Sequence, residues 1–244
     1  MKKHTKTIIL VIVGAAILIG GIWGVNESRY PNVPAFDDHF TRKFLNKDKK
    51  VASRFYEFKS KTGQYTIWFP EDYQMLHDAS EYYSVNGKSY ENWSASYRKV
   101  DGKNKSIYYI KVEFSKNDKN SEPIYVKGLF EEQLKDSNPK EIETSRTRIY
   151  YNYAYAYFEG TERHVVQNSK VHLPNTYTAY VADKNSNKVI EFSYDSIGEG
   201  TETSQEKRKL WFLTILKSIN FSEGKSREWK PLLSNYIRNK ITLL

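Results

Sequence analysis

The chain opens with its longest apolar run. Residues 8–25 read IILVIVGAAILIGGIWGV, 18 residues without a charge, enough at ~1.5 Å per residue to cross most of a bilayer core. Lys2, Lys3 and Lys6 precede it. Basic residues stay on the cytoplasmic side. The pattern therefore predicts a cytoplasmic segment 1–7, a transmembrane anchor 8–25 and everything after it outside the cytoplasm, as a single-pass cell-membrane protein. A cleaved signal peptide is the alternative, but its apolar core is usually ~7–15 residues and a small-x-small site follows it; no A-x-A follows here. Gly20 and Gly24 form one GxxxG, which suits helix pairing.

Beyond the anchor the periodicity changes. Residues 26–50 read as a linker, with Pro31 and Pro34, and then a short amphipathic helix carrying Phe36, Phe40 and Phe44 at every fourth position. That face either caps the domain core or lies on anionic lipid. Residues 51–221 read as the main domain. Phe55–Lys59 and Tyr65–Phe69 form a hairpin around 60–64, and Pro70 stops it. Strands at 93–99 and 106–114 flank Asp101-Gly102, a strong turn signal. A helix spans 123–134 with Val126, Leu129, Phe130 and Leu134 on one face, and Asn138-Pro139 ends it. Strands follow at about 148–159, 177–183 and 189–194. A helix over 203–220 has Leu210, Leu213, Leu216 and Ile219 along one side, widened by Phe212 and Ile215, with Thr203 and Glu206 as a capping box. Residues 222–244 predict a C-terminal amphipathic helix whose Trp229, Leu232, Leu233, Tyr236, Ile237 and Ile241 recur at helical spacing. It either folds back on the domain or docks on a partner or membrane. The fold class expected is α+β: a mainly antiparallel sheet covered by helices and preceded by one transmembrane helix.

Two stretches resemble a known family. FKSKTGQYTIWFPEDY (Phe58 to Tyr73) and FLTILKSINF (Phe212 to Phe221) look like the edges of the PsbP/Mog1-like α/β/α sandwich, whose early strand runs into Phe-Pro and whose last helix ends in an apolar run with Ser. That resemblance implies a small accessory or binding domain with no shared active site. Fold alone does not carry function.

Composition adds three constraints. There is no Cys, which removes disulfides, thiolate chemistry and the acceptor for a lipoprotein anchor. Tyr 20, Phe 12 and Trp 5 make the chain aromatic-rich and β-prone. The net charge of +9 leaves about +6 on residues 26–244 once the three N-terminal lysines are set aside. That favours anionic surroundings, such as an anionic envelope polymer or phospholipid head groups.

The search for chemistry finds little. Four of the five histidines, His39, His77, His164 and His172, lie beyond the anchor, and none forms an i, i+4 pair. Asp37-Asp38-His39 is too short a run to converge on a metal. No P-loop, G-x-G-x-x-G or G-x-S-x-G occurs. The Ser-x-x-Lys matches, such as Ser96/Lys99, lack companion motifs. Glu131, Glu132 and Asp136 suit a solvated helix face, and Glu159 and Glu162 suit a turn around Gly160. The one unusual run is Tyr151, Tyr153, Tyr155 and Tyr157, which alternation places on one sheet face, with Asn152, Ala154, Ala156 and Phe158 on the other. The small Ala face suits a helix. The Tyr face is either packed or a platform for sugars or extended peptide. The expectation is thus a non-catalytic, extracytoplasmic binding or accessory protein without cofactor or metal, acting on a membrane-protein partner or an anionic envelope polymer and not on nucleic acid. An envelope hydrolase whose carboxylates converge only in the fold is the alternative, and a structural subunit paired through its anchor is a third reading.

Overall fold

A computed structural model describes residues 29–198 and 204–223. The anchor at 8–25, Thr203, and Trp229, Leu232, Leu233, Tyr236, Ile237 and Ile241 of the C-terminal segment lie outside the described residues. Among the described residues no helix is long and apolar enough to cross a membrane.

Two antiparallel sheets face each other. The smaller is β1 (Leu45–Ala52), β2 (Phe55–Lys59), β3 (Tyr65–Pro70) and β13 (Asn220–Phe221), in the order β1-β2-β3-β13. The larger contains β4 (Gln74–Leu76), β5 (Tyr83–Asn86), β6 (Tyr90–Asp101), β7 (Asn104–Lys116), β8 (Lys140–Glu143), β9 (Thr147–Glu159), β10 (Glu162–Val166), β11 (Thr176–Asp183) and β12 (Lys188–Ile197). Its order is β10-β9-β11-β12-β7-β6-β4, with β5 added to β6 and β8 to β9. Three helices complete the domain: α1 (Pro34–Asp37), α2 (Glu122–Leu134) and α3 (Gln205–Ser218).

Each face of the large sheet has its own core. On one side Phe58, Tyr65, Ile67 and Phe69 of the small sheet meet Trp93, Ile110, Val112, Phe114 and Phe192, with Phe212, Ile215 and Leu216 of α3 closing the layer. On the other side Val126, Phe130 and Leu134 of α2 lie on Ala154, Tyr180, Ala182 and Val189. Small side chains at 154 and 182 let the helix approach, and full burial of Phe130 contributes about 2–3 kcal/mol. Glu122 anchors the start of α2 through a two-pronged pair with Arg148 of β9, at 2.9 and 2.6 Å.

Three expectations change. The Phe36–Phe44 helix is broken into α1 and a 3-10 turn at Thr41–Lys43. Asp38 leaves helical geometry and accepts hydrogen bonds from the N–H (2.8 Å) and hydroxyl (2.5 Å) of Thr41. Burial opposes ionisation of Asp38, but these bonds outweigh it and hold the carboxyl below its ordinary range. The phenylalanines still cap the core: Phe36 and Phe44 are buried, and Phe44 stacks on Phe58 at 5.3 Å. Second, residues 45–50, read as helix and linker, belong to β1, an edge strand studded with Lys47, Lys49 and Lys50, the charged edge that prevents further pairing. Third, α3 starts at Gln205 with Ser204 as its cap, accepting from the Lys207 N–H at 3.3 Å. Its buried face is Arg208, Phe212, Ile215 and Leu216, and Leu210 is 68% exposed, so the stripe is rotated from the leucine line expected.

Gly198 ends β12 with φ +117°, and a Cβ there would sit 2.1 Å from the backbone oxygen of Lys105. Gly102 is also left-handed, at φ +60°, but has open space around it. Gly198→Ala is therefore expected to cost about 3 kcal/mol in urea denaturation, from backbone strain plus a displaced β7, against about 1 kcal/mol for Gly102→Ala. Equal costs would mean that the approach of the two backbones is not what demands glycine at 198.

Candidate functional site

The first cleft arises where the large sheet splits. β11 begins at Thr176, opposite Ala154 of β9 and Asp195 of β12. Its neighbours run on, β9 to Glu159 and β12 to Ile197. Residues 167–175 cross the gap. There the Asn175 side chain imitates a strand: its carbonyl accepts the Ala156 N–H at 2.7 Å and its amide donates to the Ala156 carbonyl at 2.8 Å. Arg163 of β10 donates to the Gln133 carbonyl at 2.7 Å and to the Thr176 hydroxyl at 3.2 Å. Burial pushes the Asp195 carboxyl above its usual range, against a hydrogen bond from Thr176 and the charge of Arg163. The resulting cleft, of ≈ 800 Å³, is lined by Gln133, Arg163, Asn175 and Asp195 together with Tyr155, Tyr157, His172 and Leu173.

The tyrosine stripe is divided. Tyr151 is buried against Phe212, and Tyr153 packs at 5.3 Å from Tyr177 while receiving a 3.0 Å hydrogen bond from the Lys140 ammonium. Burial raises the Tyr153 pKa, but Lys140 outweighs it and lowers the phenol below its ordinary value. Tyr155 and Tyr157 reach the cleft. His172 stacks on Tyr155 at 4.4 Å, Tyr155 on Tyr157 at 6.0 Å, and Tyr157 on His164 at 5.1 Å. In such a row each ring covers its neighbour's face, leaving edges and hydroxyls outward. Around it Tyr157, Phe158, Val171, Leu173 and Ile197 are all exposed. The opposite face of β9 meets α2 through Ala154, as alternation implied.

A second cleft, of ≈ 470 Å³, opens between the two sheets and the first turns of α3. Tyr73, Tyr97, Tyr108 and Tyr194 line it with Trp211. Tyr97 stacks on Tyr108 at 5.7 Å, Tyr108 on Tyr194 at 6.4 Å, and Tyr73 on Trp211 at 5.9 Å. Arg54, Lys99, Lys207, Arg208 and Asp72 are its charged residues. Arg54 pairs with Asp72. Sequence reading missed this cleft. The legible signal was the register of β6 on β7 around Asp101-Gly102, which sets Tyr97 directly opposite Tyr108.

Among the described residues no cluster of His, Asp and Glu suits a metal ion. Asp38 is held by Thr41, and His39 turns to Arg42 at 2.7 Å. Glu131 pairs with Lys127 at 3.7 Å, and Glu159 and Glu162 flank their turn within 4.0 Å of His164. One carboxylate pair does converge across strands: Glu113 and Glu191 are directly opposite on β7 and β12. Burial raises the Glu191 pKa, with Glu113 adding to it. This pair lies on the α2 side of the sheet and lines neither cleft.

Comparison with known proteins yields one match. The model of the YvcA/Mog1p family, described as "Putative lipoprotein YvcA", matches residues 31–220. No curated protein and no solved structure matches the chain. The matched stretch begins just before α1 and ends in β13, so it spans both sheets and all three helices described above. The chain belongs to the YvcA/Mog1p family.

Proposed function

We propose that this chain is an accessory protein of the cell envelope, held at the membrane by residues 8–25, whose domain outside the cytoplasm binds a membrane-protein partner through the cleft at Tyr155 and Tyr157. The description of the family as a lipoprotein supports the envelope location. With no Cys to carry a lipid, the apolar segment takes over attachment. One observation carries the binding reading: an open cleft of ≈ 800 Å³ lined by exposed Tyr157, Phe158, Leu173 and Ile197, with exposed Val171 two residues before Leu173 in the chain. Exposed apolar side chains gathered around one concavity mark interaction sites. Of the polar residues lining it, Arg163 and Asn175 are engaged with backbone, and the exposed rings offer a partner apolar faces and hydroxyls.

The test is a photo-crosslinker placed at Val171 in the full-length protein in cells, with the partner's membrane location checked by fractionation. Phe158→Asp and Leu173→Asp are expected to reduce the crosslinked band by roughly tenfold, as loss of two apolar anchors does at an interface, while the fold is unchanged by circular dichroism. An unaltered band would rule the cleft out as the docking surface.

The hydrolase reading has Glu113 and Glu191 in its favour. Like charges face to face destabilise an antiparallel pair. Glu191→Gln is expected to stabilise the domain by up to about 1 kcal/mol at neutral pH and to leave function in cells intact. A variant that folds more stably but fails to complement a deletion strain would instead point to catalysis by this pair.

A further inference from the structure

We propose that the second cleft is a binding site for a phosphate ester, with its anionic group at Lys99 and Lys207 and its attached polyol, sugar or acyl portion over the Tyr73–Trp211 pair. Among the described residues lining the cleft, Asp72 is the only acid, and Arg54 already neutralises it. The other described cations of the lining are Lys99 from β6 and Lys207 from α3, together with Arg208, whose guanidinium is already engaged.

Around these cations the cleft offers donors. The Arg208 guanidinium is 7% exposed and donates to the Pro174 carbonyl at 3.1 Å. Its charge also acts on the Tyr194 and Tyr177 hydroxyls, both held well above the ordinary phenol range by burial. Both phenols therefore stay protonated and able to donate. Tyr177, 5.5 Å from Tyr194 between ring centres, is fully buried and has no hydrogen-bond partner for its hydroxyl among the described residues. Tyr177 is not among the residues that line the cleft.

The class of ligand follows from these groups. Lys99 and Lys207 line the cleft together with Tyr73, Tyr97, Tyr108 and Tyr194, and lysine ammonium groups bind phosphate as point charges. The aromatic walls, Phe55, Tyr73 and Trp211, give an attached group an apolar surface. A free phosphodiester polymer and a phospholipid head group share this chemistry. The site uses residues outside the Tyr155 cleft except for Arg208, which lines both. It stands or falls separately from partner docking.

The test titrates the full-length protein in neutral detergent with a soluble glycerol-phosphate oligomer, reading tryptophan fluorescence. In parallel the protein is floated with vesicles of phosphatidylcholine, with and without phosphatidylglycerol. Lys99→Gln with Lys207→Gln is compared with Lys88→Gln with Lys127→Gln, which removes the same charge away from the cleft. The cleft pair is expected to weaken binding roughly tenfold or more, the scale of lost charge-assisted hydrogen bonds, with little change for the control pair. Cleft-dependent binding of the oligomer identifies a free phosphodiester as the source, and cleft-dependent binding of anionic vesicles alone identifies a lipid head group. Binding to neither probe, or equal weakening by both lysine pairs, overturns the proposal.

Discussion

Trp93→Ala is expected to cost about 4 kcal/mol and lower the melting temperature by about 10 °C. Trp93, on β6 beside the edge strands β4 and β5, is 1% exposed, and its ring meets Phe58 at 4.8 Å and Phe69 at 5.8 Å across the inter-sheet layer. Its indole N–H donates to the Tyr65 hydroxyl at 2.9 Å. Truncation thus leaves a cavity between the sheets and an acceptor with nothing to bind. Two milder variants separate those effects. Trp93→Phe keeps most of the ring and loses the hydrogen bond, for an expected ~1–2 kcal/mol; Tyr65→Phe orphans the indole N–H instead, for about 1–3 kcal/mol. Urea denaturation followed by circular dichroism measures all three. A cost below that of Tyr65→Phe for the alanine variant would mean that the sheets are not held together at this point.

The residues that carry this core were readable because strong local signals fixed them. Ser60 to Gln64 and Asp101-Gly102 set the two hairpins, and the strands they join carry Phe58, Ile67, Trp93 and Phe114 into the core. The strands that escaped notice, β1, β4, β5, β8, β10 and β13, are short or charged edges. Lys140-Glu141-Ile142-Glu143 has no pattern of its own and becomes a strand only because β9 offers it an edge. The α3 stripe was misjudged because Arg208 is buried, and no hydrophobic period predicts a buried guanidinium. Half of the tyrosine stripe reached a cleft for a reason invisible in β9 itself. Where Tyr155 and Tyr157 lie, α3 has already ended its cover and β11 has not yet begun, whereas Tyr151 is under Phe212. The basic cleft unites residues from 53 to 211, a convergence only the fold creates.

The wild-type domain is expected to lose stability as pH rises from mildly acidic to alkaline, and Glu91→Gln is expected to remove much of that slope. Glu91 is 0% exposed at the start of the same core. One oxygen accepts the Lys61 N–H at 2.9 Å, and the other has no hydrogen-bond partner among the described residues. Burial raises its pKa above the ordinary range, against the opposing influence of the Lys61 and Thr62 backbone N–H groups and the Tyr65 hydroxyl. Glu191 and Asp195 are raised for the same reason. In the window between the unfolded and the raised folded pKa the native state holds a proton that the unfolded chain has released. Each group's favourable contribution is therefore complete below the unfolded value and disappears as pH climbs through the folded one. Asp38, lowered in the fold, acts oppositely and withdraws its contribution only in more acidic solution. One group alone gives at most about 1.4 kcal/mol per pH unit, so deleting Glu91 ionisation is visible in denaturant midpoints taken across the range. Glutamine retains an oxygen for the Lys61 N–H, and the variant should equal or exceed the wild type at alkaline pH. Parallel pH profiles for the two proteins would place the proton elsewhere, at Glu191 or Asp195, and the corresponding Gln and Asn variants would locate it.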